Sequence, residues 1–488
     1  DIQRAEAASV NDLLKLATGV DVRQRGGFGV QTDISINGGT FDQITILLNG
    51  VNISSPQTGH NAADFPVSLS DIERIEVLEG ASARVFGSSA FNGAINIVTR
   101  PDRESCVRLS AEGGSFGSFG GDFGVSLLTG NVSQKLSGGY TQSDGGTKNS
   151  DFKRRRAYYT GSYTSRYADL VWQAGLSSQD YGASTFYSAK FDNQWEATRR
   201  IITSAQADIK PFGDERLVIT PQAYWHRDVD HYQLTRGKEG AKNGENYHRT
   251  DVYGASLNAH ATWLLGKTAV GMDIRKEHIL STAYGDLLPE NEWKDIHGTD
   301  RRYDHRGDRT NTSLFLEHNV ILGGFTLSAG VLANRNTGLD GDFRFYPGVD
   351  ISYRPNEMWK FYASWNKALR VPTYTDLYTS NSVQQGDTGL RPERTSTFKA
   401  GTRFRTRGVE AVVSGFYSKG NDIIDWVYET EESRKYHAMN IGKLDNMGYS
   451  VDATLNMTEL IPGSFVTRIK AGYARIHQRH TTEQPVYR

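Results

Sequence analysis

The sequence predicts an all-β transmembrane barrel that is preceded by a small α/β domain, and three observations support this fold class. No run of about 18 consecutive apolar residues is present, so no segment reads as a membrane-spanning helix. From about residue 105 onward, apolar and polar side chains alternate with period two, as in β-strands. The connections between these strands alternate between short and long. Lipid offers backbone groups no hydrogen-bond partner, so a spanning chain without such a helix must form a closed barrel.

Composition excludes several other classes of protein. The chain has 488 residues, a formal net charge of −1, 51 glycines and a single cysteine, Cys106. A nearly neutral charge argues against a nucleic-acid-binding protein. One cysteine excludes an intrachain disulfide framework. We find no catalytic constellation and no glycine-rich phosphate loop, so the chain is not expected to be an enzyme.

Residues 1–102 are predicted to form the α/β domain. Ser9 is a good N-cap for a short helix that we expect to stop at Gly19. Four strand-like runs follow, at 33–37, 43–48, 75–78 and 94–99, and glycine-rich breaks separate them. These features predict a compact mixed sheet with short helices.

Residues 105–488 are predicted to form the barrel, with about 17 strands. In residues 451–457, for example, Val, Ala, Leu and Met fall on one face and Asp, Thr and Asn on the other. Short turns follow the even-numbered strands and long loops follow several odd-numbered ones, which predicts extracellular loops at 181–194, 233–245, 282–308 and 371–393. We expect one kinked strand over 435–457. Bacterial barrels have even strand numbers, so an odd count suggests that C-terminal strands are missing.

The chain resembles the TonB-dependent outer-membrane receptors. The resemblance is sharpest in the first hundred residues, where 44–52 (Ile-Thr-Ile-Leu-Leu-Asn-Gly-Val-Asn) and 72–77 (Ile-Glu-Arg-Ile-Glu-Val) match in order and spacing. Further matching segments are 9–14, 19–20, 86–87 and 93–99 in this domain, and 369–373, 377, 390–393 and 440–448 in the barrel.

This resemblance implies a 22-stranded barrel with the N-terminal domain as a plug in its lumen. It also implies residence in the outer membrane of a Gram-negative bacterium, contact with lipid and lipopolysaccharide, and energy coupling to the TonB–ExbB–ExbD complex. The family's TonB box would precede residue 1.

The chain departs from the family pattern at two positions where arginines usually pair with barrel glutamates. Asn37 stands at one of them, and Glu79-Gly80-Ala81 replaces Arg-Gly-Pro at the other. They put that ionic latch in doubt.

The resemblance further implies binding and import of a scarce, large nutrient. Within the family, residues 1–4 with 9–12, and the region 52–65, look closest to the vitamin B12 (cobalamin) receptors. Cobalamin or a related metal chelate is therefore the expected ligand. A ferric-siderophore, oligosaccharide or peptide receptor remains open. A passive porin or adhesin barrel is the alternative from another class, and it predicts no folded domain in the lumen.

Candidate ligand-binding residues lie in two polar plug loops, 25–31 and 52–61, and on loop aromatics that could stack on a flat ligand. His60 is expected to donate or accept hydrogen bonds rather than to bind metal, since no second ligand lies at suitable spacing. The full set is Arg25, Phe28, Gln31, Asn52, Ser54, Ser55, Gln57, Thr58, His60, Asn61, Tyr187, Trp293 and Tyr374.

No cofactor is expected to be required. Asp144 and Asp151 flank one loop and are candidates for calcium, although two carboxylates supply too few of the six to eight oxygen ligands that calcium takes. The basic run 153–156 is expected to contact lipopolysaccharide or to line a polar lumen.

Overall fold

The structure is a computed structural model that describes residues 7, 9–27, 30–78, 91–102, 104–187, 190–428 and 434–482. Phe28, the departure at residues 79–81 and the segment 1–4 lie outside the described residues. Among those that are described, no helix is long and apolar enough to cross a membrane.

The N-terminal domain contains two small sheets and short helices. Helix α1 (Val10–Leu14) begins at the N-cap Ser9, whose capping box with Asp12 is complete. It ends earlier than predicted, and Gly19 then turns the chain with a φ of +85°. Strands β1 (Val20–Gln24) and β2 (Thr32–Ile36) pair as a hairpin. The second sheet has the order β4-β3-β6-β5, formed by β3 (Thr45–Leu48), β4 (Val51–Asn52), β5 (Ile72–Leu78) and β6 (Ala94–Thr99). Short 3-10 helices lie at Phe41–Gln43, Gly59–Asn61 and Leu69–Asp71.

The described barrel wall consists of seventeen antiparallel strands in chain order. They are β7 (Cys106–Gly114), β8 (Ser118–Thr129), β9 (Val132–Ser143), β10 (Phe152–Thr164), β11 (Ala168–Gly182), β12 (Trp195–Ile209), β13 (Leu217–Gln233), β14 (Glu245–Trp263), β15 (Gly266–Ser281), β19 (His305–Leu322), β20 (Phe325–Asn336), β21 (Arg344–Tyr353), β22 (Trp359–Arg370), β24 (Glu393–Thr406), β25 (Val409–Asn421), β28 (Gly442–Asn456) and β29 (Arg468–Thr482).

Smaller elements lie in the long loops. They are β16 (Asp286–Leu287), β17 (Lys294–Asp295), β18 (Arg302–Tyr303), β23 (Gln384–Gln385), β26 (Ile424–Val427), β27 (Tyr436–Asn440), helices α2 (Tyr374–Tyr378) and α3 (Met457–Leu460), and 3-10 helices Ala241–Asn243 and Glu290–Glu292. The all-β barrel and its strand positions are thus confirmed. The single strand predicted over 435–457 is wrong in part, because β27 pairs with β23 and β26 in a loop sheet and only β28 joins the wall.

The last and first wall strands, β29 and β7, differ from the rest. Hydrogen bonds between them close the ring. Side chains 107–114 and 468–481 are exposed on both faces. The expectation of further wall strands stays a prediction.

The wall presents apolar side chains outward in a belt. Leu257, Ile274, Leu314, Leu316 and Ile351 are all 40% or more exposed, and their positions alternate with inward-facing neighbours along their strands. A soluble protein does not leave an apolar band of this extent in water. This belt is the surface that lipid covers in a membrane barrel.

The N-terminal domain lies inside the barrel as a plug. A single apolar cluster joins plug residues such as Ile46 and Phe65 with the inward-facing wall residues Tyr158, Ile202 and Val252. The porin alternative predicted a lumen without a folded domain, and this packing argues against it.

Ionic contacts also hold the plug, with a polarity opposite to the one that the resemblance suggested. The barrel supplies the cations and the plug supplies the carboxylates. Lys135 lies 3.1 Å from Asp71, and both side chains are almost fully buried. Arg370 approaches Asp42 at 3.6 Å and Glu393 of the wall at 3.3 Å. These pairs use other residues than the arginine–glutamate latch that the resemblance implied, and the doubt about that latch stays a prediction.

Removing the buried cation should loosen the plug. Lys135→Met leaves the Asp71 carboxylate buried without its ion pair, which we expect to cost about 3–5 kcal/mol. The exposed pair Lys148–Asp192 is the control, because Lys148→Met should cost less than about 1 kcal/mol. The measurement is the urea concentration at which the plug becomes sensitive to limited proteolysis. Equal urea midpoints for both variants would contradict this role of Lys135.

Candidate functional site

The two predicted plug loops lie side by side against the barrel wall and its long loops. Arg25 donates to the carbonyl of Phe186 in the loop 183–194. Gln57 donates to Asp230 of β13 at 2.7 Å. The backbone N–H of Tyr374 in α2 donates to the carbonyl of Pro56 at 2.9 Å. The described residues of 25–31 and 52–61 thus form one surface, called here the plug apex, which faces the long-loop end of the barrel.

A row of four rings crosses this apex. Phe41 lies 4.0 Å from His60 between ring centroids, His60 lies 5.6 Å from Tyr187, and Tyr187 lies 5.5 Å from Tyr232. The sequence pointed to His60 and Tyr187 in separate segments. It missed Phe41, whose position in a 3-10 helix gave no signal that it would stack on His60. We call these four residues the aromatic row.

His60 is oriented by a carboxylate. Its Nδ1 lies 2.7 Å from Asp33, which also accepts from Arg25 at 2.7 Å. Burial acts to raise the pKa of Asp33, but the hydrogen bonds and charges of His60 and Arg25 outweigh it and lower that pKa. The described residues contain no group of three or more His, Cys, Asp or Glu that could hold a metal ion. The apex is therefore suited to hydrogen bonding and stacking.

A second network of polar side chains lies beside the aromatic row. Gln31 donates to the Tyr187 hydroxyl at 2.9 Å, and that hydroxyl donates to Glu196 of the wall. The amide oxygens of Gln31 and Asn61 are buried and accept no hydrogen bond from the described residues. Buried acceptors of this kind usually have a partner, so both are candidates for meeting a donor on a ligand.

Four other predicted ligand residues shape the loop 52–61 instead. The side-chain oxygens of Asn52, Ser54, Ser55 and Thr58 accept backbone N–H groups of nearby plug residues at 3.0–3.3 Å. The carbonyls of Asn52 and Ser54 accept from Arg275 of β15. These side chains fix the loop conformation against the wall. Their presence in a polar, turn-rich loop could not reveal which oxygens were already used.

A small cavity lies beneath the loop 52–61. Its volume is about 70 Å³, and Phe41, Asp42, Arg275, Arg309 and Arg370 are among its lining residues. This space holds no more than a few water molecules. A ligand too large for a porin does not fit into this space.

The three predicted loop aromatics divide between two places. Tyr187 belongs to the aromatic row. Tyr374 is buried at the edge of the apex, with its ring 4.7 Å from the Arg309 guanidinium. Trp293 packs instead on the apolar core of its own loop, against residues including Leu288 and Tyr303, and its indole N–H donates to the Leu288 carbonyl. The structure thus brings two of the three to the apex.

One of the two calcium candidates, Asp151, forms an ion pair. Asp151 forms two hydrogen bonds with Arg236, at 2.6 and 2.9 Å, and this pairing lowers the pKa of Asp151. Asp144 is exposed at the turn beyond β9. Calcium binding by these two carboxylates stays a prediction.

The basic run 153–156 lies at the start of β10, and its side chains alternate between the two faces of the wall. Arg154 and Arg156 point inward, while Lys153 and Arg155 are exposed outside.

Asp42 gives the plug apex a dependence on pH. Its Oδ1 accepts the backbone N–H of Gly59 at 2.6 Å. Burial raises its pKa to about 6, against the opposing charge of Arg370. Between about pH 4 and pH 6 the folded protein therefore keeps a proton that the unfolded chain has released. The free energy of unfolding should fall as pH rises through this window, by about 3 kcal/mol from this residue.

Asp42→Asn should remove this contribution. Asparagine keeps an oxygen for the Gly59 N–H but does not titrate. We expect the urea midpoint of the wild-type plug to fall between about pH 4 and pH 7 by more than that of the variant. Parallel curves for the two proteins across this range would show that Asp42 keeps an ordinary pKa.

Comparison with known proteins identifies the family. Residues 1–94 match the TonB-dependent Receptor Plug Domain, and residues 107–485 match the TonB dependent receptor-like, beta-barrel family. The fold is similar to that of three solved structures. They are the FrpB iron transporter of Neisseria meningitidis (18% identity, 99% of this chain and 79% of that chain, TM-score 0.76), the siderophore receptor PirA of Pseudomonas aeruginosa (17%, 98% and 84%, 0.72) and the copper transporter OprC (17%, 98% and 77%, 0.78).

These comparisons do not point to cobalamin receptors in particular, so that finer expectation is not supported by them. The family consists of receptors and transporters rather than enzymes. Its models together match most of the sequence, and the plugged barrel agrees with them. The chain therefore belongs to the TonB-dependent outer-membrane receptors.

Proposed function

We propose that this receptor binds a flat metal chelate at the plug apex and imports it, with cobalamin as the first ligand to test. The aromatic row carries this proposal. Aromatic rings pack well against flat ligand faces, and the buried amide oxygens of Gln31 and Asn61 lack a hydrogen-bond donor of the kind that an amide or hydroxyl group at a ligand's edge supplies. A corrinoid combines a flat face with such donors.

A ferric siderophore is the second candidate. The similar structures include an iron transporter and a siderophore receptor, and this favours a ferric siderophore as ligand. Their identity to this chain is below 20%, so they support the fold and leave the ligand to experiment. The aromatic row would suit an aromatic chelator as well as a corrin ring.

Import would be driven by the TonB–ExbB–ExbD complex across the outer membrane of a Gram-negative bacterium. The lumen is filled by a plug that packs on the wall through an apolar cluster and buried ion pairs. A ligand held outside such a plug cannot diffuse through, so its passage requires work on the plug. The need for work on the plug distinguishes active import from passive diffusion.

The proposal is tested by binding and uptake with the full-length protein. Cyanocobalamin, a catecholate and a hydroxamate ferric siderophore, and ferric citrate form the panel for equilibrium binding. Submicromolar binding of cyanocobalamin alone supports the first candidate, and binding of a ferric siderophore alone supports the second. Uptake that persists in cells without TonB would contradict active import.

Substitutions in the aromatic row should weaken whichever ligand binds. Tyr187→Ala removes a ring from the row, and we expect the dissociation constant to rise about 3- to 10-fold, as for the loss of one aromatic contact. Trp293→Ala is the control, because Trp293 packs inside its own loop and should leave the dissociation constant nearly unchanged. Isothermal titration of both variants provides the comparison. A larger loss for Trp293→Ala would place the ligand on the loop 282–304 instead of the apex.

A further inference from the structure

Two carboxyl groups of the barrel wall lie in contact beside the plug apex. Glu196 belongs to β12 and Asp230 to β13, and both side chains point into the lumen, where they are 3% and 6% exposed. The two carboxyl groups are within hydrogen-bonding distance of each other. A carboxylate can only accept hydrogen bonds, so a hydrogen bond between the two requires a proton on one of them. We call Glu196 and Asp230 the acid pair.

The acid pair connects the aromatic row with the plug loop 52–61. The Tyr187 hydroxyl, which belongs to the row, donates to Glu196. Gln57 of the loop donates to Asp230 at 2.7 Å. Gln31 of the other apex loop donates to the Tyr187 hydroxyl at 2.9 Å. The spacing between the row and both plug loops therefore depends on the contact between the two carboxyl groups.

The charged groups around the acid pair are either negative or already engaged with another carboxylate. Among the residues that the structure describes, neither member forms a salt bridge, and the charges that act on the pair include Asp64 of the plug and Asp228 of β13. Arg200 pairs with Asp228 at 2.6 Å, and His226 hydrogen-bonds to the same carboxylate at 3.2 Å. Arg154 of β10 and Arg200 also attract Asp64. The other titratable side chains that face the pair are tyrosines, namely Tyr181, Tyr187, Tyr232, Tyr284 and Tyr303.

The acid pair lies at the long-loop end of the wall. Strand β12 begins at Trp195 and β13 ends at Gln233, so both acids are close to the ends of their strands. On the outer face, their neighbour Arg199 is exposed. A charged side chain on the outer face indicates that this part of the wall stands above the apolar belt. The external medium therefore reaches the pair when the apex loosens.

We propose that Glu196 and Asp230 share one proton, and that this proton positions the plug apex and makes ligand affinity depend on the external pH. The inference rests on the proposed function, because it concerns the same ligand surface. While the proton is present, the pair holds Tyr187 and Gln57 at the spacing described above. When the proton leaves to water, two negative charges are in contact and repel each other. The carboxylates separate, and the ring and the loop move apart with them.

The direction of the pH dependence follows from the count of protons. Two separated, hydrated carboxyl groups have released both protons above about pH 5, whereas the pair in contact keeps one. The seated apex is therefore stabilised at low pH, and this stabilisation is lost as pH rises. Below about pH 4 both states are protonated, and the contribution is fully present.

Infrared spectroscopy of the full-length protein in detergent detects the shared proton without any ligand. At about pH 6 we expect the wild type to show the carbonyl band of a protonated carboxyl group that both Glu196→Gln and Asp230→Asn lack. Each variant keeps an amide donor for the remaining carboxylate, and the loss of the same band in both is the mark of one shared proton. Asp192→Asn is the control, because Asp192 is an exposed partner of Lys148. A band that persists in both acid-pair variants would overturn the proposal.

Backbone hydrogen exchange in the loop 52–61 measures the positioning. Relative to the rate of an unstructured chain, exchange in the wild type should rise about tenfold or more between about pH 5 and about pH 8. Glu196→Gln should flatten this rise, since glutamine donates to Asp230 without titrating. Asp42 is present in both proteins, so its titration cancels in the comparison. A purely structural role of Glu196 would change protection by the same factor at every pH, and parallel profiles would contradict a positioning proton.

The coupling to ligand is measured by equilibrium binding of cyanocobalamin and of the ferric siderophores at about pH 6 and about pH 8. We expect wild-type affinity to fall about threefold or more at the higher pH, and that of Glu196→Gln to change less. The same pH dependence in both proteins would overturn the coupling. If no member of the panel binds, the proposed function fails, while the infrared and exchange results still decide the role of the acid pair. Asp230→Asn replaces Glu196→Gln in each measurement if the latter folds poorly.

Discussion

Every strand of the wall depends on its neighbours for backbone hydrogen bonds, because lipid supplies none and an unpaired backbone group in hydrocarbon costs several kcal/mol. This constraint produces the antiparallel ring. It also produces the period-two alternation, since one face of each strand meets lipid while the other meets the plug. The buried inward-facing residues of β12, from Glu196 to Ile202, show the consequence: the lumen wall is polar where the plug is polar and apolar where the plug core touches it.

The plug is held by a combination of apolar packing and buried charges. Its apolar core continues into the wall through Tyr158, Ile202 and Val252. Its carboxylates meet barrel cations at Lys135 and Arg370. Such ion pairs are costly to break one partner at a time but add little net stability as pairs. They favour one seating of the plug, and that seating presents Phe41, His60 and Tyr187 in a row toward the long loops.

The long-loop end of β21 and β22 is the place where the rule of complete pairing is relaxed. Strands β21 and β22 separate above Gly348 and Asn366, near the membrane surface rather than in the middle of the apolar belt. An unpaired edge is tolerable there because water and headgroups can hydrogen-bond to it.

The place of the N-terminal domain as a plug in the lumen was an implication of the family resemblance. Local pattern in the sequence was sufficient to predict the barrel and the number and position of its strands, because alternation and turn chemistry are encoded by residues close together in the chain. The two apex loops were found for the same reason, as polar turns. Three features were not predictable in this way. They are the aromatic row, the position of Trp293 within its own loop instead of at the apex, and the polarity of the ion pairs between plug and barrel. Each joins residues that are far apart in sequence: Tyr187 meets His60 only after the plug enters the barrel, and Asp71 meets Lys135 across the lumen. Tertiary structure decided these contacts, because burial selects partners by distance in space and the sequence pattern carries no record of that distance.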